Sequence, residues 1–238
     1  MTRSCRLKPG RIFALSIGSG VASGLLLVAM NVLVAGPHVS KMSDIYFDAL
    51  MSQGDLVEED FDSSLQTLYF WQTAFPIVMG VAAGVLIAVA YIKAVRNAFR
   101  IALAVAGTAW FSLFVMPAIK YPYNPDTLYN PDAAKSYATF FVAYAAASGL
   151  AALGTAVGFA RTKRKNWYVG AAGVYLAITA GLFFAFPDYP QSDIVPMAIL
   201  GAWRSASAAG MTAFWFGLGI LSGALLEREE KKGAGRGI

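Results

Sequence analysis

The sequence predicts an all-α integral membrane protein: six transmembrane helices in a bundle, both termini cytoplasmic, with a short amphipathic helix in the first outer loop. Three observations predict it. Only 14% of the 238 residues are charged and 57% are hydrophobic, for a mean hydropathy of +0.55; a soluble domain carries about 25% charged residues. Apolar runs of bilayer-crossing length recur at roughly 12–35, 68–92, 99–119, 137–160, 167–187 and 197–226. Charge also sorts between alternate connections. No run alternates with period two, which argues against a barrel. The chain therefore reads as one six-helix membrane domain, 1–238, with an outer acidic loop over 36–67.

One side of the bilayer receives Arg3, Arg6, Lys8 and Arg11, then Lys93, Arg96 and Arg100, then Arg161, Lys163, Arg164 and Lys165, and finally Arg228, Lys231, Lys232 and Arg236. The other side receives only Lys41, Lys120 and Lys135. By the positive-inside rule the first side is cytoplasmic. The net charge of +5 is thus topogenic and faces anionic lipid headgroups, so a nucleic-acid partner is not expected. Most carboxylates gather on the opposite, outer side.

The first run follows a basic N-terminus, as in a signal peptide, but it is too long for a signal core and reads as the first span. After it, Val39, Met42, Tyr46, Ala49 and Leu50 recur at helical spacing before Gly54, which predicts the amphipathic helix on the outer surface. If the second span extends outward, Asp55, Glu59 and Asp62 share one face beside Glu58. Such acids either collect cations at an entrance or form a plain solvated face. With His38 nearby, their oxygen ligands suit Ca²⁺ or Mg²⁺ and, less well, Co²⁺ or Ni²⁺. Tyr69, Phe70 and Trp71 open the second span, and Trp167 and Tyr168 the fifth, as interfacial belts. Gly20 and Gly24, Gly80 and Gly84, Gly154 and Gly158, and Gly219 and Gly223 are spaced for close helix packing.

The loop at 114–132 carries Pro117, Pro122, Pro125 and Pro131, which forbid a regular helix, with Asn124 and Asp126 in turn-forming positions beside Lys120. The linker into the sixth span carries Asp188 and Asp193. Arg204 lies about 10 Å into that span at 1.5 Å per residue. Three readings suit it: a clamp onto Asp188, Asp193 or Asp126, a side chain snorkelling to the surface, or a substrate contact. A single cysteine, Cys5, and a single histidine, His38, cannot make a zinc site or a Cys/His pair. There is no phosphate-binding glycine loop and no acid at mid-membrane. No enzyme and no cofactor is expected.

Two stretches carry a resemblance. "FVMPAIKYPYNPD" resembles the pattern after the third span of the CbtA-type cobalt transporter subunits, and "FPDYPQSDIVPMAILGAWRSASAAGMTAFWFGLGILSGALL" is similar to their last segment. The matching positions are Pro117, Lys120, Tyr121, Pro122, Asn124, Pro125, Asp188, Pro190, Pro196 and Arg204. The resemblance implies a multi-pass cell-membrane subunit for cobalt-type uptake, with the divalent cation as substrate and a small single-span membrane subunit as partner. The alternative is a non-catalytic accessory subunit of a larger membrane complex. Family members often carry histidines in the first outer loop, where this chain has only His38 among acids.

Overall fold

The computed structural model describes residues 7–53, 58–94, 97–124, 131–160, 166–189 and 194–235, and these contain helices and no strands. The helices are α1 (Pro9–Met30), α2 (Gly36–Gln53), α3 (Glu58–Ala94), α4 (Ala98–Ala109), α5 (Met116–Lys120), α6 (Pro131–Ala160), α7 (Trp167–Ala185) and α8 (Met197–Gly235). Wide π-helical turns, Asn31–Ala35 and Trp110–Val115, join α1 to α2 and α4 to α5. Six helical stretches are long and apolar enough to cross a membrane: Pro9–Ala49, Gln72–Lys93, Ala98–Lys120, Asp132–Phe159, Trp167–Ala185 and Met197–Lys232.

Prolines and asparagines explain the irregularities. α1 starts with Pro9 at its first turn, where the missing N–H costs nothing. Each π-helical turn lies just before a proline, Pro37 or Pro117, whose ring clashes with the carbonyl four residues back. Widening the turn relieves that clash without ending the helix. Residues 36–53 are thus helical, as the apolar spacing predicts, but they continue the first span without a break; Val39, Met42 and Tyr46 are buried. Asn97 caps α4, accepting from the Arg100 amide at 3.0 Å.

The chain folds as two compact units. Unit 1 comprises residues 1–41, 66–107 and 201–238; unit 2 comprises 42–65 and 108–200. In unit 1, α1 and α3 cross backbone to backbone. A methyl added at Gly20 would lie 1.9 Å from the Gly80 carbonyl oxygen, and one at Gly84 would lie 2.4 Å from that of Ser16. Gly24 lies against the Pro76 carbonyl in the same way, at 2.6 Å. Pro76 has no N–H for the Gln72 carbonyl, and the Asn31 side-chain amide donates to that carbonyl instead, at 3.2 Å. Gly219 and Gly223 press on Ala106 and Phe99 of α4.

In unit 2, α6 and α7 pack along each other. Ser148 and Tyr175 share a buried hydrogen bond of 2.8 Å, and the Tyr144 hydroxyl donates to the Thr179 carbonyl at 3.3 Å. Gly154 and Gly158 depart from the other glycine pairs, because a methyl added at either would meet nothing within 4 Å. Their side of the hairpin is an open apolar groove of about 360 Å³ that includes Ala151, Val174 and Ile178.

Candidate functional site

Unit 2 gathers one polar corner from the ends of three spans. The third span ends at Tyr121 and the fifth at Phe186, and each of these residues precedes a proline. A residue before proline is driven out of the α region. Tyr121 accordingly adopts φ −124°, ψ 74°, and Phe186 adopts φ −81°, ψ 143°. Both chains leave the helix there, and the Tyr121 hydroxyl donates to the Pro187 carbonyl at 2.7 Å. The start of α6 closes the corner. Tyr137 donates to the Tyr121 carbonyl at 2.8 Å, and Tyr189 donates to that of Ala133 at 3.1 Å.

The corner is aromatic. Tyr121, Tyr137 and Tyr144 form its buried core, with Phe140, Phe141, Phe186 and Tyr189 packed around them. Tyr121 meets Tyr144 edge-on at 6.0 Å, and Tyr144 meets Phe186 at 5.3 Å. Lys120 lies inside this shell, its side chain only 4% exposed. Its ammonium sits 4.7 Å from the Phe183 ring centroid and pairs with Asp188, whose side chain is 94% exposed. The lysine is therefore the anchor, and the carboxylate is presented to the surroundings. Burial first, and then the Asp188 charge, push the Tyr121 phenol above its ordinary range.

Asp188 pairs with Lys120. Asn124 is fully buried four residues beyond Lys120. Arg204 belongs to unit 1, half-buried on α8 beside the buried Trp203. His38 is half-buried on α2. Asp55, Asp126 and Asp193 lie outside the described residues, as do the side chains of Glu59 and Asp62. Among the described residues, no three His, Cys, Asp or Glu side chains come together as a metal-holding group. Sequence reasoning missed the aromatic cage. Its signal was present in the Tyr121-Pro122 and Phe186-Pro187 pairs and in the aromatics at 137, 140, 141 and 144.

Within unit 1, Arg11 on α1 pairs with Glu229 on α8 at 2.7 Å, and Lys232 joins the same carboxylate at 3.1 Å. Tyr91 on α3 donates to Glu230. These contacts tie α1, α3 and α8 together at one end.

No curated protein and no solved structure matches the chain. One family model does, over residues 10–227, nearly the whole length. Its description is "Probable cobalt transporter subunit (CbtA)", which is not an enzyme class. With six helices fit to span a membrane and a match of this extent, the chain belongs to the CbtA family.

Proposed function

We propose that this chain is the cell-membrane subunit through which a divalent, cobalt-type cation is taken up. Both termini are cytoplasmic in this reading, and the Lys120–Asp188 corner faces outward. The observation that carries it is the CbtA match over residues 10–227. Charge placement supports the orientation, since Lys93 and Arg100 flank the ends of the second and third spans opposite to Lys120. Asp188, with Asp126 and Asp193 in the neighbouring loops, forms an acidic mouth that raises the local cation concentration. Asp55, Glu59 and Asp62 collect cations in the first outer loop, with His38 as the one imidazole available there. Lys120 holds Asp188 in place, and Asn124 and the proline turns shape the opening. Arg204 secures the outer part of the sixth span.

A second reading, a non-catalytic accessory subunit of a larger membrane complex, is favoured by the open groove at Gly154 and Gly158. A neighbouring helix could approach there as α3 approaches Gly20.

The test compares cobalt uptake in cells carrying the unsubstituted chain, Asp188→Asn or Arg204→Ala, with membrane protein level measured in parallel. Reduced uptake at normal level by Asp188→Asn is expected. Arg204→Ala is expected to lower the amount of protein. Uptake by all three equal to that of cells lacking the chain contradicts the reading.

A further inference from the structure

Within unit 1 the last turns of α8 meet the first turn of α4. A methyl added at Gly223 would lie 2.9 Å from the Phe99 Cα, so the two backbones touch there. Beside that contact is a pocket of about 600 Å³ lined by Phe99, Ala224, Glu227, Arg228, Lys231 and Lys232. Small-molecule sites have volumes of about 300–1,000 Å³, so the space suits a ligand group.

The lining is ordered along the helix. Phe99 and Ala224 make its apolar part, and the charged residues follow one to two turns further along α8. Leu221 and Leu225 are exposed and share a helical face with Arg228 and Lys232. An exposed apolar stripe thus runs directly into a cluster of cations.

The ion pairs leave that cluster a positive excess. Glu227, the one carboxylate in the lining, is taken by Lys231 at 2.8 Å. Lys232 shares Glu229 with Arg11, and Glu230 accepts from Tyr91. Among the described residues Arg228 makes no ion pair and no side-chain hydrogen bond. Its guanidinium is exposed at the pocket, and that planar fork matches a phosphate group in two parallel hydrogen bonds. The first turn of α4 adds the positive end of its helix dipole on the same side.

A free anion would use the cations and leave the apolar stripe idle. A neutral lipid would do the reverse. An anionic phospholipid uses both, with its chains along Leu221 and Leu225 and its phosphate at Arg228, and basic pockets between membrane helices are known to receive such headgroups. We propose that the pocket between α8 and the first turn of α4 holds the headgroup of an anionic phospholipid, with Arg228 as the phosphate contact. This is a built site, distinct from the general attraction of a basic helix end to a charged membrane surface, in which no single residue decides. It stands independently of the cation-uptake reading.

The test uses the purified full chain in detergent, mixed with phosphatidylglycerol or with phosphatidylcholine of the same acyl chains, and counts retained lipid by native mass spectrometry. Phosphatidylglycerol should be retained on the order of tenfold more. Arg228→Gln should lower its retention by roughly five- to tenfold, and Arg228→Lys, which keeps the charge and loses the fork, should restore part of it. Lys93→Gln removes a cation from the last turn of α3, outside the pocket, and should leave retention unchanged. Arg228 and Lys93 are both exposed, so all three variants should keep the size-exclusion profile of the unsubstituted chain. Equal retention of the two lipids, or undiminished phosphatidylglycerol in Arg228→Gln, overturns the proposal. An equal loss in Lys93→Gln also overturns it, because surface charge alone then explains the binding. In a last arm, inorganic phosphate replaces the lipid at the same concentration. If it raises the thermal midpoint as much as phosphatidylglycerol does, and Arg228→Gln abolishes the rise, the ligand is a free anion and the lipid site is overturned.

Discussion

Lys120 and Asp188 show how unequally an ion pair can be shared. The ammonium is enclosed by Phe183 and the tyrosine corner, and the carboxylate is almost fully exposed. Asp188 is exposed, and Asp188→Asn keeps an oxygen that accepts from the Lys120 ammonium, so the thermal midpoint in detergent should move by only a few degrees. Lys120→Glu is different, because it places a second carboxylate in the aromatic shell beside Asp188. An uncompensated buried charge costs about 3–5 kcal/mol, and this variant should unfold far earlier or fail to accumulate. Equal midpoints for the two variants would show that Lys120 does not anchor the corner. Tyr121 adds a pH signature. Its phenol is raised by burial and by Asp188, so the folded state holds the proton more tightly than the unfolded one. That contribution is complete below the ordinary tyrosine value of about 10 and is lost as pH rises above it. Thermal midpoints should thus decline above about pH 10, and Tyr121→Phe should flatten the decline. None of this pairing was legible from sequence. The residues of the corner were, but a one-dimensional pattern does not say which cation Asp188 meets. That choice is made where two aromatic-proline pairs turn the chain back on itself.

At the scale of elements, hydropathy made the six spans legible because a bilayer demands long apolar helices and tolerates little else. The join at Gly36-Pro37 shows what a hydropathy pattern leaves out. Glycine followed by proline reads as a break, yet the π-helical turn at Asn31–Ala35 absorbs the proline and the helix runs on. Asn31 itself reaches across to the Gln72 carbonyl that Pro76 leaves free. The small-residue pairs were visible as a pattern, but the pattern does not say which of them has a partner. Gly20 touches Gly80 backbone to backbone, whereas Gly154 faces open space. Gly20→Ala should force α1 and α3 apart and cost at least the ~1–3 kcal/mol of an overpacked core. Gly154→Ala should leave the folded fraction unchanged or slightly raised, as alanine favours helix by up to about 1 kcal/mol. Fluorescence-detected size exclusion of the two variants gives the comparison. Equal profiles would contradict the α1–α3 contact.

On the scale of the whole molecule, unit 2 carries an aromatic corner that holds the Lys120–Asp188 pair, and unit 1 carries an end tied by Arg11 and Glu229. Membership of the CbtA family places the chain among probable cobalt transporter subunits. The most direct measurement is the cobalt content of cells grown in trace cobalt, with and without the chain, at matched expression of a multi-pass control protein. A several-fold higher cobalt content is expected with the chain. Equal cobalt content with and without the chain, even when a co-expressed small membrane partner is supplied, would contradict it.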